Sequence, residues 1–205
     1  MKISILVEGA TERAFKPFLV NYLRTRIANN RMPRLDFVPY DGRIPKECKL
    51  ERTVSHLLSG PKAADYVIAL TDVYTGTTPP DFIDGIDAKT KMTSWVGPED
   101  RFFPHVAQHD FEAWLLPYWP TIQRLADHNR NGPRGNPENV NHGHPPAKRV
   151  GEIFEIGRCR DSYVKPRDAY RILSENDLAV SIGQCSELKA FVNTIIRLCG
   201  GDLVP

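Results

Sequence analysis

The first dozen residues constrain the fold of this chain most strongly. An apolar, β-branched run at residues 3–7 ends at Glu8, and Gly9 permits a tight turn before a helical pattern begins. This pattern predicts a buried strand followed by a helix that Thr11 caps, with Glu12 in the first turn. Glu8 and Glu12 would then form an oxygen-rich corner at the carboxyl end of a strand, where open α/β folds tend to bind ligands. Such a corner favours a hard cation.

Two later strand-like runs also end in acidic residues. Residues 64–70 are apolar and close on Thr71 and Asp72, which predicts that Asp72 lies just beyond a strand end. Residues 102–106 lead into a polar and aromatic cluster that should open a helix, with Asp110 as its cap and Glu112 in its first turn. Because the strands of a parallel sheet end at one edge, these acidic residues are expected to converge there.

The rest of the chain alternates between helical and strand-like patterns. Helices are predicted at about residues 11–28 and 50–58, a strand at 35–39, and a short helix around 82–88. This order indicates an α/β fold with a mainly parallel sheet flanked by helices, and helical periodicity beyond residue 146 indicates a helical C-terminal appendage. We therefore predict a core at residues 1–117, and a mobile basic loop with a helical extension packed on that core at residues 118–205.

Composition excludes several classes of protein. The 205 residues are 41% hydrophobic, which suffices for one domain, and 27 basic against 25 acidic residues give a formal charge of only +2. Any contact with nucleic acid must therefore use a local patch. No apolar run approaches the roughly 20 residues that span a bilayer. The four cysteines show no C-x-x-C spacing and nothing reads as a signal peptide, so we expect a reduced, cytoplasmic, non-zinc protein without a membrane contact.

A basic region follows the predicted core. The polar loop at residues 128–146 includes Arg130, Arg134, His142 and His144, and it runs into Lys148 and Arg149 at the start of a helix. These two residues could bind phosphate there, or the region could be a solvated loop followed by a surface helix. The His142-x-His144 pair is too short a pattern to indicate a metal site.

Other polar and aromatic side chains have open roles at this stage. His109 could donate to a phosphate, transfer a proton or cap a backbone group. Lys165 lies in a basic stretch in which Tyr163 and Tyr170 could stack on bases, although a solvated helix pair is the safer interpretation for most of that stretch. The chain contains no Walker-type G-x-x-x-x-G-K-[ST] loop, so any use of ATP would need another protein.

Three motifs carry a family resemblance: Val7-Glu8-Gly9-Ala10-Thr11-Glu12, Leu70-Thr71-Asp72-Val73-Tyr74 and Gln108-His109-Asp110-Phe111-Glu112-Ala113-Trp114-Leu115-Leu116. In this order they resemble the Toprim fold. More narrowly, they resemble an uncharacterised bacterial Toprim-like family that is often encoded beside AAA or ABC-type ATPases in phage-defence loci. The likeness continues through residues 143–149, Lys165 and the region of Cys185, so it covers most of the chain.

The resemblance implies a metal-dependent nuclease that hydrolyses phosphodiester bonds of DNA or RNA with Mg²⁺ or Mn²⁺. Glu8 matches the glutamate of the Toprim family, Glu12 the second glutamate of overcoming-lysogenisation-defect-type nucleases, and Asp72 the first aspartate of the Asp-x-Asp motif. All three are the expected metal ligands. Tyr74 stands where the second aspartate would be, which leaves a two-metal site in doubt unless Glu112 or Asp110 supplies the missing oxygens.

The remaining roles follow the same resemblance and the residue types. Glu8, Glu12, Asp72, Glu112 and His109 are the expected catalytic set, and Lys148, Arg149 and Lys165 are expected to bind the substrate. A separate AAA or ABC-type ATPase is the expected partner, and an oligomer is compatible with the sequence. The alternative is a non-catalytic Toprim-like module that binds nucleic acid or the ATPase. A phosphotransfer or primase-like reaction is a lesser option, because metal chemistry alone does not identify the acceptor.

Overall fold

The computed structural model describes residues 1–74, 76–140, 143–157 and 162–205. Within these residues four strands form one sheet in the order β2-β1-β3-β4, and all three pairs of neighbours are parallel. The strands are β1 Lys2–Val7, β2 Arg34–Pro39, β3 Tyr66–Asp72 and β4 Phe102–Ala107. The predicted mainly parallel α/β architecture is confirmed, and the carboxyl ends of all four strands lie at one edge of the sheet.

Helices connect these strands and continue beyond the last of them. The three in the strand-containing half are α1 Ala10–Leu23, α2 Cys48–Ser59 and α3 Gly85–Val96. A 3₁₀ helix, Phe111–Tyr118, follows β4 and leads into the helical half. The helices of that half are α4 Trp119–Ala126, α5 Pro146–Ile156, α6 Lys165–Ser174, α7 Leu178–Gln184 and α8 Ser186–Leu198.

The sheet is covered on both faces because its strands are apolar on both sides. In β1 the side chains of Ile3, Ile5 and Val7 join one core cluster and that of Leu6 joins another, as the two-residue period of a strand requires. The first cluster contains residues of α1, the 3₁₀ helix and the helices after it. The second is smaller and contains residues of α2 and α3. The helical extension therefore shares the principal core of the sheet.

Contacts between the two halves are specific as well as apolar. The rings of Trp114 and Phe191 stack with their centroids 6.3 Å apart, and Ser181 Oγ donates to the carbonyl of Trp114 at 2.6 Å. This packing places the C-terminal helices firmly beside the segment that follows β4. The division at residues 117 and 118 and the mobility of the basic loop stay predictions.

Several local predictions need correction. Gly9, not Thr11, is the N-cap of α1, and the helix ends at Leu23 rather than near residue 28. The helix after β3 is α3, which runs over 12 residues from Gly85 and is longer than the short one expected at 82–88. The aromatic cluster after β4 forms a 3₁₀ rather than an α-helix. Asp72 is the last residue of β3 rather than the residue beyond it.

Two further findings concern the class of protein. In the described ranges no helix is long and apolar enough to cross a membrane. Cys48, Cys185 and Cys199 are free thiols, whereas Cys159 and His142 lie outside the described residues.

Candidate active site

Three adjacent strand ends bring acidic residues to one edge of the sheet. Glu8 follows β1, Asp72 ends the neighbouring β3, and Asp110 begins the segment after β4, which pairs with β3 on its other side. The register aligns Asp72 with Ala107, so the chain after β4 emerges beside Asp72. Parallel pairing thus turns residues more than 60 positions apart in sequence into neighbours.

Glu8 is held beside Asp72 by direct contacts. Thr71 Oγ1 donates to Glu8 Oε1, and the backbone N–H of Asp72 donates to the same oxygen at 3.1 Å. The carbonyl of Glu8 accepts from the N–H of Gly42, 2.9 Å away, in the loop after β2. Burial raises the pKa of the Glu8 carboxyl against the opposing influence of these hydrogen bonds.

Glu12 is buried in the first turn of α1 and also holds the start of that helix. Its Oε2 accepts from the backbone N–H of Gly9 at 3.0 Å, which satisfies one of the free donors at the helix N-terminus. Burial raises its pKa, and the charges of Glu8 and Glu112 act in the same direction. One oxygen of Glu12 therefore stabilises α1 while the carboxylate as a whole interacts with the acidic residues nearby.

Asp72 lies at the centre of the acidic group. Its pKa is raised well above the ordinary value, first by burial and then by repulsion from four other carboxylates: Glu8, Asp110, Glu12 and Glu112. A carboxylate that interacts with four others shows that all five approach one region. We call these five residues the acidic centre.

Asp110 has the least satisfied carboxylate in the acidic centre. It precedes the 3₁₀ helix, as its predicted cap would, but its Oδ2 accepts from the N–H of Ala147 in α5 at 3.1 Å. Its Oδ1 is buried and lacks a hydrogen-bond partner among the described residues. Burial, followed by the charge of Glu112, raises the pKa of Asp110 to about 7. Buried oxygens without partners are uncommon in native proteins and indicate a strained or functional group.

Glu112 is fully buried but paired. Tyr163 Oη donates to Glu112 Oε1 and Lys165 Nζ to Oε2, both at 3.2 Å. Tyr163 also packs its ring 5.5 Å from that of Phe154, and its stacking on a base stays a prediction. Tyr170 remains half-exposed and packs beside Phe18.

Two cations border the acidic centre. Lys165, at the start of α6, was predicted for this site, whereas Arg43 in the loop after β2 was not. The charges of both lower the pKa of Glu8, and they come from different elements, Arg43 from the loop after β2 and Lys165 from the start of α6. Arg43 Nη1 also contacts Asp81 Oδ2 at 2.6 Å. No local motif distinguishes Arg43 in the sequence, because its relevance depends on the turn that brings Gly42 to Glu8.

The other predicted residues lie at the margin of the centre. The carbonyl of His109 accepts from the N–H of Tyr74 at 2.7 Å, which joins the ends of the β3 and β4 segments. The side-chain roles of His109 stay predictions. Lys148 is exposed in the first turn of α5, and Arg149 Nε donates to the carbonyl of His144 at 3.2 Å. Both residues share the first turn of α5 with Ala147, whose N–H contacts Asp110.

The chemistry of the acidic centre fits a hard divalent cation, but its oxygens do not form a coordination shell. Across residues 1–74, 76–140, 143–157 and 162–205, no group of three or more His, Cys, Asp or Glu side chains is placed to hold a metal ion. The unpartnered Asp110 Oδ1 and the mutual repulsion at Asp72 are the features that a cation would relieve. Carboxylate oxygens are the ligands that Mg²⁺ prefers.

Comparison with solved structures agrees with the parallel α/β fold described above. The chain is similar to the C-terminal region of the OLD protein of Burkholderia pseudomallei, with a TM-score of 0.55 and 14% identity over 97% of this chain and 98% of that one. The C-terminal region of the OLD protein of Xanthomonas campestris pv. campestris gives a TM-score of 0.49 and 14% identity over 97% and 96% of the two chains. At this identity the likeness shows the fold alone.

Sequence comparison places the chain in a family without an assigned function. No curated protein matches it. The family profile described as "Domain of unknown function (DUF4276)" matches residues 7–196, which is most of the chain and includes every residue of the acidic centre. The chain therefore belongs to the DUF4276 family.

Proposed function

We propose that this protein is a metal-dependent nuclease that hydrolyses phosphodiester bonds of DNA or RNA. The observation that carries the proposal is the acidic centre, whose five carboxylates lie at the ends of three adjacent strands or in the helical turns that follow them. One of these carboxylates has a buried oxygen that lacks a partner among the described residues. A binding module has no use for such a group, because unneutralised carboxylates repel phosphates. The fold it shares with the OLD C-terminal region agrees with the Toprim resemblance of the motifs.

Glu8, Glu12 and Asp72 are the proposed holders of Mg²⁺ or Mn²⁺, with Asp110 Oδ1 as a further oxygen. The metal would supply charge neutralisation at the phosphate and a more acidic bound water. Glu8 is held by Thr71 and the Asp72 N–H, which fixes one of its oxygens and leaves the other for a ligand or a proton. His109 and Glu112 complete the proposed catalytic set, with Glu112 acting through its contacts to Tyr163 and Lys165.

Basic side chains on two sides of the acidic centre would hold the phosphate backbone. Lys165 already lies against Glu112, and its half-exposed ammonium can reach a phosphate on the α6 side. Arg43 occupies the β2 side, and Lys148 and Arg149 extend the basic surface along α5. These cations are local, which agrees with a net charge of only +2. A separate AAA or ABC-type ATPase as controlling partner and an anti-phage role remain part of the proposal through the family resemblance.

The second candidate is a non-catalytic module that binds nucleic acid or the ATPase. It is favoured by Tyr74, which is half-exposed where the Toprim pattern has its second aspartate, and by the absence of a formed metal-ligand cluster in the described residues. The two candidates differ in whether cleavage occurs and depends on the carboxylates.

A cleavage assay with matched variants tests the proposal. Labelled single- and double-stranded DNA, RNA and tRNA are incubated with the protein and Mg²⁺ or Mn²⁺. We expect Glu8→Gln and Asp72→Asn to abolish cleavage, since either removes a charged oxygen ligand. Glu51→Gln and Asp100→Asn are the controls, because both positions are exposed, the first on α2 and the second before the amino end of β4. Wild-type rates in the two centre variants would reject the site.

Calorimetry separates the two candidates when no cleavage is seen. Mn²⁺ is titrated into the wild-type protein, Asp72→Asn and Asp100→Asn, each with a short oligonucleotide to complete the coordination. Saturable binding that is lost only in Asp72→Asn supports the metal site independently of the substrate. Equal heats in all three proteins would favour the non-catalytic module.

A further inference from the structure

A basic cleft opens beside the N-terminus of α5. It has a volume of about 310 Å³, and its walls include Arg134, Asn136, Asn139 and Arg149. The described residues that line it include two arginines and no carboxylate. This volume is at the lower end of the range for ligand pockets, which suits one sugar-phosphate unit better than a larger ligand.

The two arginines are available to an anion. Within the described residues Arg134 is exposed and makes neither an ion pair nor a hydrogen bond. Arg149 donates through Nε to the carbonyl of His144, which orients the guanidinium but leaves its terminal nitrogens without an ion pair in the described part of the chain. Arginine guanidinium groups bind phosphate through two parallel hydrogen bonds, so two of them in one cleft form a site for a phosphodiester.

The neighbouring carboxylate already has partners of its own. A second, smaller cleft of about 90 Å³ shares Pro133 and Arg149 with the first and contains Glu152. Glu152 contacts Arg130 Nη1 at 3.4 Å and His144 Nε2 at 2.5 Å. Because Arg130 and His144 occupy this carboxylate, it does not compete for Arg149.

Hydrogen bonds hold the chain segments on both sides of the cleft. In the smaller cleft beside it, the carbonyl of Arg130 accepts from Trp119 Nε1 at 2.8 Å, and a Cβ atom on Gly132 would lie only 2.7 Å from the Trp119 ring. On the other side, Asn136 accepts from the N–H of Glu138, whose own carboxylate is buried against the N-terminus of α8. A site formed before the ligand arrives loses less entropy on binding.

The position of the cleft relates it to the acidic centre. Ala147, whose N–H binds Asp110, and Arg149 both lie in the first turn of α5, roughly 3 Å apart along the helix axis but on different faces, so the acidic centre and the cleft flank the same helical turn. We infer that the cleft binds a backbone phosphate of single-stranded nucleic acid next to the bond at the acidic centre. This inference rests on the proposed function for the identity of the reacting bond, but not for binding itself. A rigid duplex cannot turn a single sugar-phosphate unit into a cleft of this size, whereas an unpaired strand can, so we expect the cleft to favour an unpaired strand.

Equilibrium binding tests the inference without relying on a metal. Fluorescence anisotropy is measured in EDTA with a labelled single-stranded oligonucleotide and a blunt duplex, over a series of salt concentrations. We expect Arg134→Ala and Arg149→Ala each to weaken single-strand binding about fivefold and to reduce the salt slope by about 0.7. Duplex binding should change less than twofold. Arg52→Ala, at an exposed position of α2, is the matched control and should bind as the wild type does.

The outcomes separate this inference from the proposed nuclease. Unchanged affinity in Arg134→Ala, a loss equal to that of Arg52→Ala, or no binding by the wild type would overturn the cleft. An equal loss on the duplex would overturn its selection of a single strand. Because Arg134 is exposed, its variant should keep the wild-type melting temperature. If the cleft binds the single strand as expected but Glu8→Gln cleaves at the wild-type rate, the proposed nuclease site is rejected and the inference about the cleft stands.

Discussion

Two regions of this molecule bury carboxylates in opposite ways. Glu138 is 2% exposed and accepts hydrogen bonds from Trp114 Nε1, Ser186 Oγ and the backbone N–H groups of Glu187 and Leu188 at the start of α8. The acidic centre instead brings carboxylates within range of mutual repulsion, and Asp110 Oδ1 is without a partner among the described residues. Donors and a helix N-terminus make the first arrangement stabilising, whereas repulsion makes the second costly. Such a cost is typical of a site that serves function rather than stability.

The largest effect is expected at Glu138. Its replacement by Ala leaves an indole N–H and the N-terminus of α8 unsatisfied in the core, so the free energy of unfolding should fall by about 3–5 kcal/mol. Urea unfolding followed by circular dichroism measures this change. Glu155→Ala, at an exposed position of α5, should differ from the wild type by less than about 0.5 kcal/mol. A loss below about 1 kcal/mol in Glu138→Ala would remove the contrast between the two regions.

The response to pH should also differ between the scaffold and the acidic centre. His105 lies in β4 against α8 and α3, where its Nε2 shares a hydrogen bond with Thr194 Oγ1 at 3.0 Å. Burial, followed by the charges of Lys89 and Arg197, lowers its pKa from 6.5 to about 3. The unfolded chain therefore takes up this proton as the pH falls through 6.5, while the folded protein does not until near pH 3. The stability contributed by neutral His105 is complete above pH 6.5 and is lost on acidification.

Unfolding measurements at pH 6.5 and 4.5 test this contribution. The wild type should lose about 2–3 kcal/mol more than His105→Gln over that interval, because Gln does not titrate and can still pair with Thr194. The acidic centre acts in the opposite sense, since Asp110, with a pKa of about 7, binds a proton more readily when folded than when unfolded. Identical pH dependence in the two proteins would show that His105 is not the scaffold group responsible.

Asp72→Asn should stabilise the metal-free protein. It removes a buried charge that is repelled by four carboxylates, so the free energy of unfolding should rise by about 1 kcal/mol even though cleavage is expected to be lost. Chemical unfolding in EDTA measures the rise. Asp168→Asn gives the converse control, since Asp168 accepts from the Val164 N–H at 2.8 Å and contacts Arg167, and its pKa is lowered. A destabilised Asp72→Asn beside an unaffected Asp168→Asn would reverse the assignment of the two regions.

The sequence was a good guide to the strands and to the acidic residues that follow them. Alternation and β-branching are local properties, so β1, β2 and β4 lie where the periodicity put them. The proximity of Asp72 and Asp110 could be predicted because paired parallel strands end at the same edge of a sheet. The errors are also local. A Gly N-cap with a Glu three residues later was passed over for Thr11, since residue type alone favours threonine.

What escaped prediction depends on tertiary contacts. Arg43 follows Gly42, whose N–H donates to the carbonyl of Glu8. Tyr163 lies before α6, and its hydroxyl donates to Glu112. Glu138 lies in a polar loop and looks like a solvated residue in the sequence, yet the N-terminus of α8, almost 50 residues later, buries it. No local sequence pattern around these residues predicts such contacts. Buried polar pairs of this kind are specified by the whole fold rather than by local propensity.

Lys165 pairs with a buried carboxylate of the acidic centre much as the donors around Glu138 do. Its removal should nevertheless change stability least among these variants. Its ammonium is half-exposed while its partner Glu112 is fully buried and also held by Tyr163, so Lys165→Ala should lower the free energy of unfolding by less than about 1 kcal/mol. The same change should weaken oligonucleotide binding about fivefold, because the ammonium is the cation placed between the acidic centre and solvent on the α6 side. Anisotropy and urea unfolding on one preparation measure both, with Lys49→Ala on α2 as the exposed control. A large loss of stability with unchanged binding would make Lys165 a partner of Glu112 alone, like the donors around Glu138, rather than a contact for the substrate.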